Sequence, residues 1–261
     1  MVDYSKFKNV KVEKDQKVAI LTLNRPEEMN VFDVPMHGEV EQIFREITHD
    51  DTVNAIVLTG AGKMFSAGGD IKMMQKGISA MPECEEGIRL IQNLLNVKQP
   101  IIAALNGHAI GVGATVALFC DMVVASPEVK IGDPHVKVGL VAGDGGCIIW
   151  PLLMGMNRAK EMLLTGKLIE AKEAERMGLV NHCVPREKVM PTALEIAHDL
   201  ANGPVKAIQW TKMSLNKRLK EDVNLILPTS MGFEYLSMIS EDHKEAVAAF
   251  LEKRKPNYTG K

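Results

Sequence analysis

The chain has 261 residues, 46% of them hydrophobic and 25% charged. These proportions exclude a disordered or fibrous protein, and the length suffices for a substantial core without disulfides or metals. A net charge of −2 with no long basic tract excludes the electrostatic footprint of a nucleic-acid binder.

Cys84, Cys120, Cys147 and Cys183 stand singly, as buried thiols in a reducing compartment do, and no His/Cys spacing suggests zinc. No metal is expected. The N-terminal stretch lacks the apolar run of a secretory signal, and nothing approaches the roughly 18 apolar residues of a membrane span. A cytoplasmic protein is therefore expected, with no membrane partner.

In chain order, Val18–Leu23 is a compact run of strand formers stopped by Asn24-Arg25-Pro26. Met36–Ile47 carries Val40, Ile43, Phe44 and Ile47 at helical spacing. Asn54–Thr59 is a second strand, and FSAGGDIKMM at 65–74 leads from a glycine pair into a short helix. A helix over Ile88–Val97 ends at Pro100; a strand at Ile101–Leu105 follows, then an almost wholly apolar helix at Ala114–Phe119. Met122–Ala125 and Lys130–Ile131 are further strands. This alternation predicts an α/β architecture with parallel pairing.

Beyond Cys147 the pattern predicts helices at Ala159–Leu164 and Ala171–Arg176, the latter ending at Gly178, and a last short strand at Leu179–Val184. From Met190 onward it predicts three amphipathic helices, broken near Asn202-Gly203-Pro204 and at Pro228. The expected division is a core over residues 1–200 and a helical region over 201–261.

Two glycine segments, FSAGGD and GHAIGVG, each run into a helix whose first N–H groups lack intrahelical partners. Two such ends aimed at one point would offer a pair of donors to a developing oxyanion. Taken singly, each is equally an ordinary tight strand-to-helix turn. Neither is a Walker A motif or a dinucleotide fingerprint.

Taken together, the motifs resemble the crotonase (enoyl-CoA hydratase/isomerase) superfamily. They are LNRPEEMN at 23–30, FSAGGDIKMM at 65–74, NGHAIGVGATVALFCDMVVAS at 106–126, VGLVAGDGG at 138–146, RAKEMLLTGKLIEAKEAERMGLVNHCVP at 158–185 and AAFLEKRKPNYTGK at 248–261. The resemblance implies a spiral of ββα units followed by a C-terminal helical region used for trimerisation, as a homotrimer or dimer of trimers. It implies an acyl-CoA substrate, with coenzyme A as part of the thioester and no permanently bound cofactor. It also implies that the backbone N–H groups of Gly69 and Val112 form the oxyanion hole. By the same resemblance Arg25, Ala67, Gly69, Asp70, Ile71, Phe250 and Lys253 lie along the coenzyme A path. For Arg25, Phe250 and Lys253 a plain loop or helix-end role stands equally open, and Asp70 is read chiefly as a helix cap. Met73, Met74 and Met81 fall where the family lines its acyl pocket, although core filling is the ordinary role of methionine.

One departure matters. The two glutamates that hydratases of this family use for water and the α-proton are replaced by Thr115 and His135. A threonine is no base near neutral pH. The titratable groups left are His135, with an ordinary pKa near 6.5, and Asp144, which either partners the histidine or caps the following helix. This His/Asp pattern is similar to the β-diketone hydrolase branch, in which such a pair activates water to cleave a carbon–carbon bond. Three readings remain open: a hydrolytic or lyase-type acyl-CoA enzyme, a β-diketone hydrolase independent of coenzyme A, and a catalytically silent acyl-CoA binder.

Overall fold

A computed structural model describes residues 2–77, 79 and 84–261, so Met81 lies outside the described residues. The chain opens with a hairpin of β1 (Val10–Asp15) and β2 (Val18–Leu23). There follow α1 (Val34–Ile47), β3 (Ala55–Gly60), α2 (Ile71–Gln75), α3 (Cys84–Asn96), β4 (Ile101–Leu105), β5 (Ala109–Ile110) and α4 (Val112–Phe119). Next come β6 (Met122–Ala125), β7 (Lys130–Gly132), α5 (Gly146–Met154), α6 (Met156–Thr165), β8 (Leu168–Glu170), α7 (Ala171–Met177) and β9 (His182–Cys183). Three helices close the chain: α8 (Val189–Asn202), α9 (Val205–Met238) and α10 (Glu241–Glu252).

The predicted α/β architecture is the one adopted, with a C-terminal helical region. One sheet has the order β1-β2-β3-β4-β6-β9, parallel from β2 onward; a smaller sheet has the order β5-β7-β8. The central strands are buried on both faces, which is why they read as unbroken apolar runs. Their alternate side chains feed two cores. Ile56, Leu58 and Ala103 face Ile43 and Phe44 of α1 and Leu94 of α3, whereas Val57, Ile102 and Val124 face Ala193, Ala197 and Ala201 of α8. Each large side chain so buried contributes about 1.5–3 kcal/mol.

Three strands escaped the sequence reading: β1, the two-residue β5 and β8. In β1, Lys11, Glu13 and Lys14 flank the edge of the sheet and weaken its apolar signal. At three residues, β8 is too short for any period, and its antiparallel pairing with β7 is a purely tertiary event.

Three helices do follow Met190, but the second break is not at Pro228: α9 runs through it and ends at Met238. Proline removes one helical N–H and crowds the carbonyl of residue 224. Both Asn224 and Pro228 face solvent, so that carbonyl is met by water and the helix persists.

Candidate active site

The turns after β3 and β4 lie side by side. The amides of Phe65 and Ser66 both donate to the carbonyl of His108, at 3.1 Å, and Ile110 N–H donates back to Ser66 at 3.0 Å. Gly68 holds φ +90, and a Cβ there would lie 2.8 Å from the Ile110 carbonyl oxygen. Only glycine allows the two turns to approach this closely. Gly69 follows, while Val112 is the first residue of α4 with Gly111 as its N-cap. The N–H groups of Gly69 and Val112 take no part in the backbone bonds that build these turns. Both residues line one cavity, together with His135, Asp144 and Glu234. Two fixed donors beside titratable groups suit a reaction in which an oxygen gains negative charge.

Against the second turn, where a Cβ on Gly111 would lie 3.7 Å from His135 Cε1, a buried cluster is centred on His135. Asp133, only 1% exposed, accepts a hydrogen bond from His135 Nδ1–H. That leaves Nε2 directed toward Asp144 Oδ2 at 3.7 Å and Glu234 Oε1 at 4.0 Å. The Thr115 hydroxyl donates to Asp144 Oδ1 at 3.0 Å. Thr115 thus holds a carboxylate contributed from elsewhere in the chain.

Burial alone would discharge His135, but the carboxylates of Asp133, Asp144 and Glu234 outweigh it and hold the imidazole protonated well above its ordinary pKa. For Asp144, burial dominates and raises the pKa; the His135 charge and the Thr115 hydrogen bond oppose this in part. Burial likewise pushes Glu234 up to about 8, against the attraction of His135. At neutral pH the cluster therefore combines an imidazolium with a carboxylic acid at Glu234. The ordinary value near 6.5 taken from sequence does not apply here. Asp133, His135 and Asp144 also have the mutual spacing of a metal site. Binding of a metal there would require His135 to give up its proton.

A second, more open cleft meets the first at Gly69 and His135 and is lined by Ala67, Ile71 and Phe250 among others. Four of the residues read as lying on the coenzyme A path are thereby brought together. The remaining three are not. Asp70 caps α2, accepting from Lys72 N–H at 2.9 Å, as its sequence context suggested. Arg25 is ion-paired with Glu28 and Asp33, and Lys253 terminates α10 in the left-handed region at φ +56. Met73 and Met74 line the first cavity. Asp144 precedes Gly145, the N-cap of α5; its carboxylate accepts from the Gly146 N–H at the helix entrance and also faces His135.

Sequence reasoning missed Asp133 and Glu234. Asp133 lies two residues before His135 and reads as an ordinary turn residue ahead of Pro134. The signal for Glu234 was present: on α9 the buried positions Leu227, Met231, Glu234 and Met238 share one helical stripe, and a lone carboxylate on such a stripe needs a partner.

Residues 13–261 match the enoyl-CoA hydratase/isomerase family model. The short-chain-enoyl-CoA hydratase of Clostridium acetobutylicum is 37% identical over 95% of this chain and 96% of its own length. The crotonyl-CoA hydratase of Syntrophomonas wolfei is 35% identical, covering 98% and 99%. Among solved structures, an enoyl-CoA hydratase/isomerase from Mycobacterium paratuberculosis superposes with a TM-score of 0.89 at 32% identity, over 94% of this chain and 99% of that one. The α/β fold with its two glycine turns and these matches place the chain in the crotonase class of protein. The chain belongs to the enoyl-CoA hydratase/isomerase family.

Proposed function

We propose that this chain is an acyl-CoA enzyme that forms a thioester enolate and uses water as co-substrate, with the His135 cluster replacing the family's two glutamates. The observation that carries the proposal is the buried constellation of His135, Asp133, Asp144 and Glu234 beside the cavity that Gly69 and Val112 also line. The open cleft lined by Ala67, Ile71 and Phe250 would take the coenzyme A arm.

The favoured reaction is hydrolytic cleavage of a carbon–carbon bond beside a ketone. Asp144 accepts a proton as water attacks the ketone carbon, and the imidazolium of His135 steadies the alkoxide that forms. When the alkoxide collapses, the bond to the α-carbon breaks and its electron pair passes to the thioester oxygen. The two amides hold the resulting enolate, and Glu234 in its acid form protonates the α-carbon. The products are a carboxylic acid and a shortened thioester. Hydration of an enoyl thioester, the activity named for the Clostridium and Syntrophomonas relatives, would use the same enolate. It creates no tetrahedral alkoxide, however, and has no need of a fixed cation in the cavity. The cation favours hydrolysis.

The closeness of His135 to Asp144 also suits a β-diketone hydrolase that needs no coenzyme A. We further infer assembly as a homotrimer or dimer of trimers, with residues 201–261 serving assembly while α9 supplies Glu234 to the site built on residues 1–200.

The test is a panel of enoyl-, β-keto- and cyclic keto-acyl-CoAs read by mass spectrometry, with calorimetry on acetyl-CoA alongside. Cleavage of a keto thioester is expected, and it should be lost in His135→Ala with thioester binding kept. Turnover of a free diketone without any thioester binding would favour the second reading. Binding across the panel without turnover would point to a silent binder, and full activity in His135→Ala would remove the cluster from the chemistry.

A further inference from the structure

His135 and Asp144 stand at the two ends of one loop, and Glu234 reaches them from α9. Between those ends residues 137–143 form only short turns, and four of their backbone groups take no part in the backbone bonds of those turns. Each is met instead by a side chain from residues 230–258. Tyr258 Oη–H donates to the Lys137 carbonyl at 3.0 Å, and His243 Nδ1–H donates to the Val138 carbonyl at 2.6 Å. Val141 N–H donates to Ser237 Oγ at 3.2 Å, and the Ser230 hydroxyl donates to the Gly143 carbonyl at 2.8 Å. A Cβ on Gly139 would lie 2.8 Å from His243 Cα, and one on Gly143 would lie 2.3 Å from the Ser230 carbonyl oxygen. Loop and helices therefore meet backbone to backbone.

Ser230 and Ser237 stand about one turn before and one turn after Glu234 on the same side of α9. Their hydroxyls register the loop against the helix that carries the third titratable group. His243 is 4% exposed and Ser230 6%, so water does not compete for their bonds. The spacings at stake are short: His135 Nε2 lies 3.7 Å from Asp144 and 4.0 Å from Glu234. At such range a displacement of about 1 Å changes the interaction of two charges by about a fifth.

We propose that Ser230, Ser237, His243 and Tyr258 are positioning residues: by clamping the loop backbone to α9 and α10 they set the spacing of His135 and Asp144 from Glu234. The inference rests on the reading of that cluster as the proton-transfer machinery, but the spacing can be read without turnover.

The whole chain, carrying isotope-labelled histidine, is titrated by NMR, with the His135 signal assigned from its loss in His135→Gln. In the native protein Asp133, Asp144 and Glu234 hold the His135 midpoint well above 6.5. Ser230→Ala, Ser237→Ala and His243→Leu should each lower that midpoint by about one pH unit, a tenfold loss of proton affinity. Each should also lower kcat by about tenfold or more with KM little changed. Ser237→Thr and His243→Asn, which keep the hydroxyl and a donor near the place of Nδ1, should restore both. Where a buried variant fails to fold, Ser237→Ala and Tyr258→Phe, at half-buried and exposed positions, give the same reading. An unmoved His135 midpoint in the folded variants, with the urea midpoint alone lowered, would reduce the four bonds to loop packing and overturn the proposal. A shifted midpoint with undiminished turnover would uphold the spacing and overturn the proton-transfer reading.

Discussion

Three carboxyl groups around one buried imidazole cannot all ionise, and the position of the shared protons decides what the site can do. Asp133 orients the ring through Nδ1, so the face toward substrate is the Nε2 edge between Asp144 and Glu234. With its pKa raised to about 8, Glu234 keeps its proton at neutral pH and loses it as the pH rises through that value. Turnover that needs an acid there should decline along the same limb. Glu234→Gln is expected to lower kcat by about 10²–10⁴, the usual worth of a positioned acid or base. A pH profile of kcat/KM should then lack the descending limb near 8; an unchanged limb would assign it to another group. The linkage to stability has the same sign. A carboxyl raised above its ordinary value of 4.5 takes up a proton on folding between those two values. Its stabilising contribution is therefore complete below the ordinary value and is lost as pH climbs toward 8.

At the scale of elements, the site depends on where helices begin and on one that refuses to end. The starts of α2 and α4 bring Gly69 and Val112 to the cavity, and the tight crossing at Gly68 sets their separation. The uninterrupted α9 carries Met231, Glu234 and Met238 across the cavity mouth. A break at Pro228 would have detached all three from the preceding turns. Proline in a helix interior costs about 3 kcal/mol relative to alanine, but it also stiffens the unfolded chain. Pro228→Ala is accordingly expected to stabilise the protein by about 1–3 kcal/mol, read from the urea midpoint. A lower midpoint would mean that the proline shapes a bend on which packing of α9 depends.

For the molecule as a whole, the described residues leave large apolar side chains in contact with solvent on the C-terminal helices. Trp210 is 66% exposed, Leu215 70% and Leu225 75%. A trimeric assembly as proposed above would cover such side chains. Light scattering should report three or six chains per particle, and a stable monomer at micromolar concentration would count against the trimeric reading. No helix of the described residues is long and apolar enough to cross a membrane. Phe250, although 61% exposed, borders the open cleft.

The sequence alone determined the alternating α/β pattern, because buried parallel strands must be continuous apolar runs and their helices must be amphipathic. It also determined the two glycine turns, since only glycine tolerates so close a backbone crossing, and it singled out His135 and Asp144 as the titratable pair. Tertiary structure decided the rest. The pairing of β8 with β7 and the passage of α9 through Pro228 depend on neighbours and solvent that no local window contains. So does the charge of His135: one histidine in a turn has an ordinary pKa, and only folding brings in Asp144 and, from a helix far along the chain, Glu234. Electrostatic energy follows distance in space and burial from water, not separation in sequence, and the proton inventory of the site is therefore a property of the fold.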